Sequence, residues 1–168
     1  MIRLVLGGKI EPEMTNTRAK MLEAKYFLER MNENETDGLA FNYNLSAFLA
    51  AARSVTMVMQ KEFKRTPSFA QWYNGKGDEM KNDATIRFLN KRRDMTIHQQ
   101  PISFHPNVRL DVSLAPIGSN KHSYSKVKWY FNDLPYLNQD VFTVCKEYID
   151  KLEHLVQECE SRFSSKEV

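Results

Sequence analysis

Cysteine is nearly missing from this chain: Cys145 and Cys159 are the only two in 168 residues. They do not stand at a zinc-site spacing, and no His-Glu-x-x-His run replaces them, so the familiar zinc signatures are excluded. Both fall in one helical pattern, about 21 Å apart along the axis, which is too far to bond within that helix. Their separation is nearly four turns, so they share the apolar face and read as buried structural thiols. Glycine and proline are scarce as well, at six each. Long stretches therefore run without punctuation, which favours helices.

Long apolar runs are also absent, and none approaches the ~18 residues of a membrane span. The opening Met1-Ile2-Arg3-Leu4-Val5-Leu6 is too short for the apolar core of a signal peptide and meets Gly7-Gly8-Lys9 at once. Without an export signal, the glycosylation patterns at Asn34-Glu35-Thr36 and Asn44-Leu45-Ser46 carry no weight, and a cytoplasmic protein is expected. A large charge excess is missing too. Lys and Arg number 24 against 21 Asp and Glu, a net charge of +3, with a pI near 8.8. This is no histone-like polycation.

What is present suits a globular protein, with 42% hydrophobic and 27% charged residues. The length predicts a single domain over 1–168 with a core that needs no staples. A first helix is predicted from about Pro12 to Asn34, with Met14, Met21, Ala24, Leu28 and Met31 in one stripe. Asn32 to Gly38 reads as a loop. A second helix, about Asn42 to Lys64, has the clearest helical period in the chain, through Leu45, Phe48, Leu49, Ala52, Val55, Met59 and Phe63. After Pro67, Phe69, Trp72 and Tyr73 suggest one helical turn, which Asn74-Gly75-Lys76-Gly77-Asp78 is expected to break. Asn82 or Asp83 can cap a helix from Ala84 to about His98, with Ile86, Leu89, Arg93 and Ile97 on or near one stripe. Pro101 stops it.

The period then changes from helix to strand. Val108, Leu110, Val112 and Leu114 alternate with polar residues, as do Val127, Trp129 and Phe131. A long-looped hairpin pairing Val108–Leu114 with Lys126–Phe131 is expected, inserted at about 102–131 and leaning one apolar face on the helices. A last helix runs from about Gln139 to Phe163. The predicted fold is mainly α: an up-and-down bundle of four to five helices with a small β-hairpin before the last helix.

Positive charge concentrates in one place. From Lys81 to His98 stand Lys81, Arg87, Lys91, Arg92 and Arg93 against Asp83 and Asp94. That surplus of three equals the net charge of the whole protein, and it ends on a histidine. A local basic focus beside a histidine suits phosphate chemistry or RNA binding. A helix C-terminus that favours cations accounts for the same residues. Arg93 and His98 also diverge by ~140° on an ideal helix, so acting together requires a distorted helix end or a second copy. Gly75-Lys76-Gly77 reads as a surface turn, His105 and His122 as surface or satisfied residues, and His154 as exposed. No metal or cofactor is expected.

Arg93, Asp94 and His98, an arginine, a polar follower and a histidine on a late helix of a helical bundle, resemble the motif of the HEPN superfamily (higher eukaryotes and prokaryotes nucleotide-binding domains). The small-residue run Ala47 to Val55 resembles the central helix of such bundles. The resemblance implies a homodimer whose two motifs share a cleft, acting as a metal-independent endoribonuclease, with a toxin–antitoxin or defence role among its settings. His98 would move or orient a proton, Arg93 would stabilise the phosphorane, and Asp94 would hold one of them in place. Arg87, Lys91 and Arg92 would gather the RNA backbone, while Trp72, Tyr73 and Trp129 would stack on bases or pack in the core. The alternative is a non-catalytic interaction or assembly module, such as the partner of a nucleotidyltransferase. In that reading Arg92 and Arg93 pair with the last helix, whose acidic residues outnumber its basic ones by three from Gln139 onward.

Overall fold

The computed structural model describes residues 14–98, 104–109 and 126–164, with the side chains at 96–98, 107–109 and 126 outside the description. Within these residues the protein is mainly helical, with five helices and a two-stranded antiparallel hairpin before the last helix. Helix α1, Asn16–Glu33, starts later than Pro12 because Thr15 caps it, its hydroxyl accepting from the Arg18 N–H at 3.0 Å. The Glu62 carboxylate accepts from the N–H groups of Asn16 and Thr17, both at 2.8 Å, and from the buried Thr17 hydroxyl at 2.6 Å. A carboxylate from the following helix thus serves the open donors of the first turn.

Helix α2, Gly38–Phe63, begins four residues before Asn42 because Asp37 accepts from Leu39 and Ala40 N–H. It is the central helix. Leu45, Phe48, Leu49, Ala52, Val55 and Met59 are all buried, as the period required.

Helix α3, Phe69–Asn82, overturns the expected break, running straight through Gly75-Lys76-Gly77. Glycine disfavours a helix by about 1 kcal/mol per residue, and tertiary contacts offset it here. Phe69 packs in an aromatic cluster with Phe63, Trp72, Tyr73 and Phe163. The Trp72 indole N–H donates to Glu158 at 2.9 Å, and Lys76 pairs with the same carboxylate at 3.0 Å.

Helix α4, Ala84–His98, is capped by Asp83, which accepts from Ile86 N–H at 2.9 Å. Strand β1, Phe104–Arg109, pairs with β2, Lys126–Phe131, with Phe104 opposite Phe131 and Val108 opposite Val127. The first arm thus starts four residues before Val108, and 110–114 lie outside the described residues. The hairpin does lean on the bundle. Phe131 is fully buried edge-on to Phe88, and Trp129 stacks on Phe41. Helix α5, Val141–Phe163, is capped by Asp140.

Both cysteines are free and buried on α5. Burial, with nearby carboxylates, pushes the Cys159 thiol up to about 12 and Cys145 higher still. They are unreactive packing groups. Within one chain the acidic side of α5 does not pair with Arg92 or Arg93, the pairing that the interaction-module alternative allowed within or between subunits. Glu153 pairs with Arg18 and Lys25, Glu160 with Arg18, and Glu158 with Lys76 and Arg162, so its partners come chiefly from α1 and α3.

Candidate functional site

Helical spacing puts Arg87, Lys91 and Asp94 at i, i+4 and i+7, one row along α4. That row forms one wall of a groove of about 690 Å³. Helix α2 supplies Arg53, Thr56 and Gln60 opposite, and α3 closes a third side with Tyr73, Asn74 and Lys81. The floor is apolar, built from Met80, Ile86, Leu152 and the ring of Tyr148. The Tyr148 hydroxyl donates to the Asn90 side-chain oxygen at 3.1 Å. The Gln60 amide donates to the Tyr73 hydroxyl at 3.0 Å.

The charges in this groove do not cancel. Lys81 is paired with Asp78 at 3.0 Å, and Asp94 is held from outside by Arg93 at 2.9 Å. Among the described residues Arg53, Arg87 and Lys91 are exposed and form no ion pair, Arg53 donating to the Thr56 hydroxyl at 3.3 Å. Three cations therefore face one groove without a carboxylate of their own. Burial raises the Tyr73 and Tyr148 phenols, against the opposing pull of Arg53, so both stay protonated at neutral pH.

The residues singled out from the sequence divide into three groups. Arg87, Lys91 and Asp94 meet at the groove. Arg92 does not: it is buried over the Phe88 ring, 5.1 Å from its centroid, and paired with Asp133 at 2.8 Å. It is not among the residues that line the groove. Of the stripe expected through Ile86, Leu89, Arg93 and Ile97, Ile86 and Leu89 are buried, as are Phe88 and Arg92 beside them, and the side chain of Ile97 lies outside the description. Arg93 is half-buried and bonded to Asp94. His98 is the last residue of α4, and its side chain lies outside the description. In helical register position 98 continues the row Arg87, Lys91, Asp94, whereas Arg93 stands about 140° away.

Of the aromatic candidates, Trp72 and Trp129 are partly buried against the core and do not line this groove. Trp129 stacks on Phe41 and donates to the Glu35 carbonyl at 2.8 Å. Tyr73 stacks on Phe69 and lines the groove. His105 shares a hydrogen bond with Asn132 and stacks on Tyr130. His154 is exposed, and His122 lies outside the described residues. Among the described residues no group of three or more His, Cys, Asp or Glu is placed to hold a metal ion. Nor is any of their helices long and apolar enough to cross a membrane.

Sequence reasoning missed Arg53, Gln60, Asn90 and Tyr148. For Arg53 a signal existed, since it is the only charged residue between Gly38 and Gln60. No curated protein and no solved structure matches the chain. One family model does, over residues 15–132, and that match overturns the HEPN resemblance: the family found is that of bacteriophage lambda protein ea47.

Proposed function

The chain belongs to the bacteriophage lambda protein ea47 family, and we propose that it binds RNA along the groove between α2, α3 and α4. The observation that carries this reading is the set of three cations, Arg53, Arg87 and Lys91, that have no ion-pair partner among the described residues and are contributed by two helices to one concave surface. Cations left without partners on a protein surface attract counterions, and phosphates that replace those counterions release them to solvent. A groove with tyrosine and amide groups between the cations suits a nucleic-acid strand better than a flat charge patch would.

The test separates the groove from the short motif. Fluorescence anisotropy with a short labelled RNA should show binding by the wild-type chain, weakened severalfold in Arg87→Gln and in Arg53→Gln. Arg93→Gln should weaken binding less than these, and only by freeing the Asp94 carboxylate at the groove, because Arg93 itself is turned to Asp94. Arg92→Ala should lose about 2–3 kcal/mol of stability, from the broken pair with Asp133 and the lost ring contact, without altering the affinity of the folded protein. Equal affinities for wild type, Arg87→Gln and Arg53→Gln would sink the reading.

A second reading is cleavage of the bound RNA without a metal, and the register of position 98 on the groove-facing row favours it. His98 would take the proton from a 2′-hydroxyl as its oxygen attacks the adjacent phosphorus. The bond from phosphorus to the 5′-oxygen then breaks, that oxygen takes a proton from water, and His98 returns its proton to solvent, leaving a 2′,3′-cyclic phosphate and a 5′-hydroxyl. Arg93 would act by holding Asp94 in place. Under this reading His98→Ala keeps RNA affinity and loses cleavage, and chelator changes neither. Cleavage of equal rate by His98→Ala would assign the activity to a contaminant and leave binding alone.

A further inference from the structure

The rim and the floor of the groove differ in chemistry, and a phosphate backbone uses only the rim. Arg53, Arg87 and Lys91 are exposed at its edge, while Ile86, Tyr148 and Leu152 beneath are at most 7% exposed. Between the two levels stand uncharged groups whose orientations are fixed. The Asn90 oxygen is taken by the Tyr148 hydroxyl at 3.1 Å, which leaves its amide N–H pointing free as a donor. The Gln60 amide nitrogen donates to the Thr56 carbonyl at 3.2 Å and to Tyr73 at 3.0 Å, which leaves the Gln60 oxygen as an acceptor. No hydrogen-bond partner for either remaining group stands among the described residues.

A phosphodiester is satisfied by guanidinium and ammonium groups and gains nothing from an apolar floor. A nucleobase needs what the groove adds: an apolar surface for its face, and a donor and an acceptor for its edge. The volume of about 690 Å³ lies in the range of small-molecule sites, roughly 300–1,000 Å³, and exceeds the needs of a lone phosphate. We infer that the groove seats one splayed base of single-stranded RNA, edge toward Gln60 and Asn90, with the flanking phosphates on Arg53, Arg87 and Lys91. Duplex RNA is excluded as the preferred ligand, because its bases are stacked and its deep major groove hides their edges. This inference rests on the RNA-binding reading and narrows its substrate class.

The experiment compares three ligands on the full chain at one salt concentration: a short single-stranded RNA, the same sequence as a duplex, and a strand of equal length made abasic throughout. The single strand should bind about tenfold tighter than either of the others, the size of one stacked and bonded base. Gln60→Met, which keeps the volume and removes the acceptor, should alter the preference among homopolymers while leaving the salt dependence unchanged. If the abasic strand and the duplex bind as tightly as the single strand, the base pocket is refuted and phosphate binding stands. If none of the three binds, the RNA reading itself fails and takes this inference with it.

Discussion

Gly38 and Gly75 both sit in helices, yet their surroundings give them opposite roles. At Gly38, the first residue of α2, a Cβ would come within 2.7 Å of the Trp129 ring. That ring is held by its stack on Phe41 and its bond to the Glu35 carbonyl, so shifting it disturbs both contacts. Gly38→Ala should therefore cost about 1–3 kcal/mol by overpacking, despite alanine's better helix propensity. At Gly75 a Cβ would meet nothing within 4 Å. Gly75→Ala should gain about 0.5–1 kcal/mol, and urea unfolding of the two variants reads both signs. The need for glycine at position 38 was not legible in the sequence, because the ring that imposes it lies ninety-one residues further on. The burial of Arg92 was not legible for the same reason: its partner Asp133 lies on the far side of the hairpin.

Elements were more legible than residues. The apolar periods of α2 and α5 come from burial along their whole length, and the alternation of Trp129 and Phe131 marks the face that packs on Phe41 and Phe88. Helix α3 failed as an expectation because its stability comes from Trp72 and Lys76 reaching Glu158, a tertiary contact that outweighs local propensity. The contacts of α5 carry a pH dependence. Burial alone would raise the Glu153 carboxyl, but hydrogen bonds from Lys25 and Arg18 hold it at about 2. Lys151 lowers Glu147 through a hydrogen bond and lowers Asp83 in spite of its burial. A carboxyl lowered on folding stabilises the protein above its unfolded value, and the gain disappears as pH falls through the folded value. Stability should thus fall between about pH 4.5 and about pH 2. Thermal melts across that window should show a shallower fall for Glu153→Gln than for the wild type; parallel curves would remove Glu153 from the account.

Over the whole molecule, the family match ends at residue 132, before α5 begins. Yet α5 completes both the core, through Val144, Tyr148, Leu152 and Val156, and the groove, through Tyr148 and Leu152. Among the described residues the groove walls come from α2, α3, α4 and α5 of one chain. The sequence revealed the α4 wall through its run of cations, but the groove exists only once Arg53 is brought opposite that wall by the packing of α2. The central claim is that these three cations meet RNA phosphates, and the salt dependence of RNA affinity tests it most directly. For a single strand the slope of log affinity against log salt should be about −2, at about 0.7 for each phosphate neutralised. In a chain carrying Arg53→Gln, Arg87→Gln and Lys91→Gln together, with its thermal unfolding unchanged, the slope should flatten toward zero. A slope that stays at the wild-type value in that variant would contradict the account.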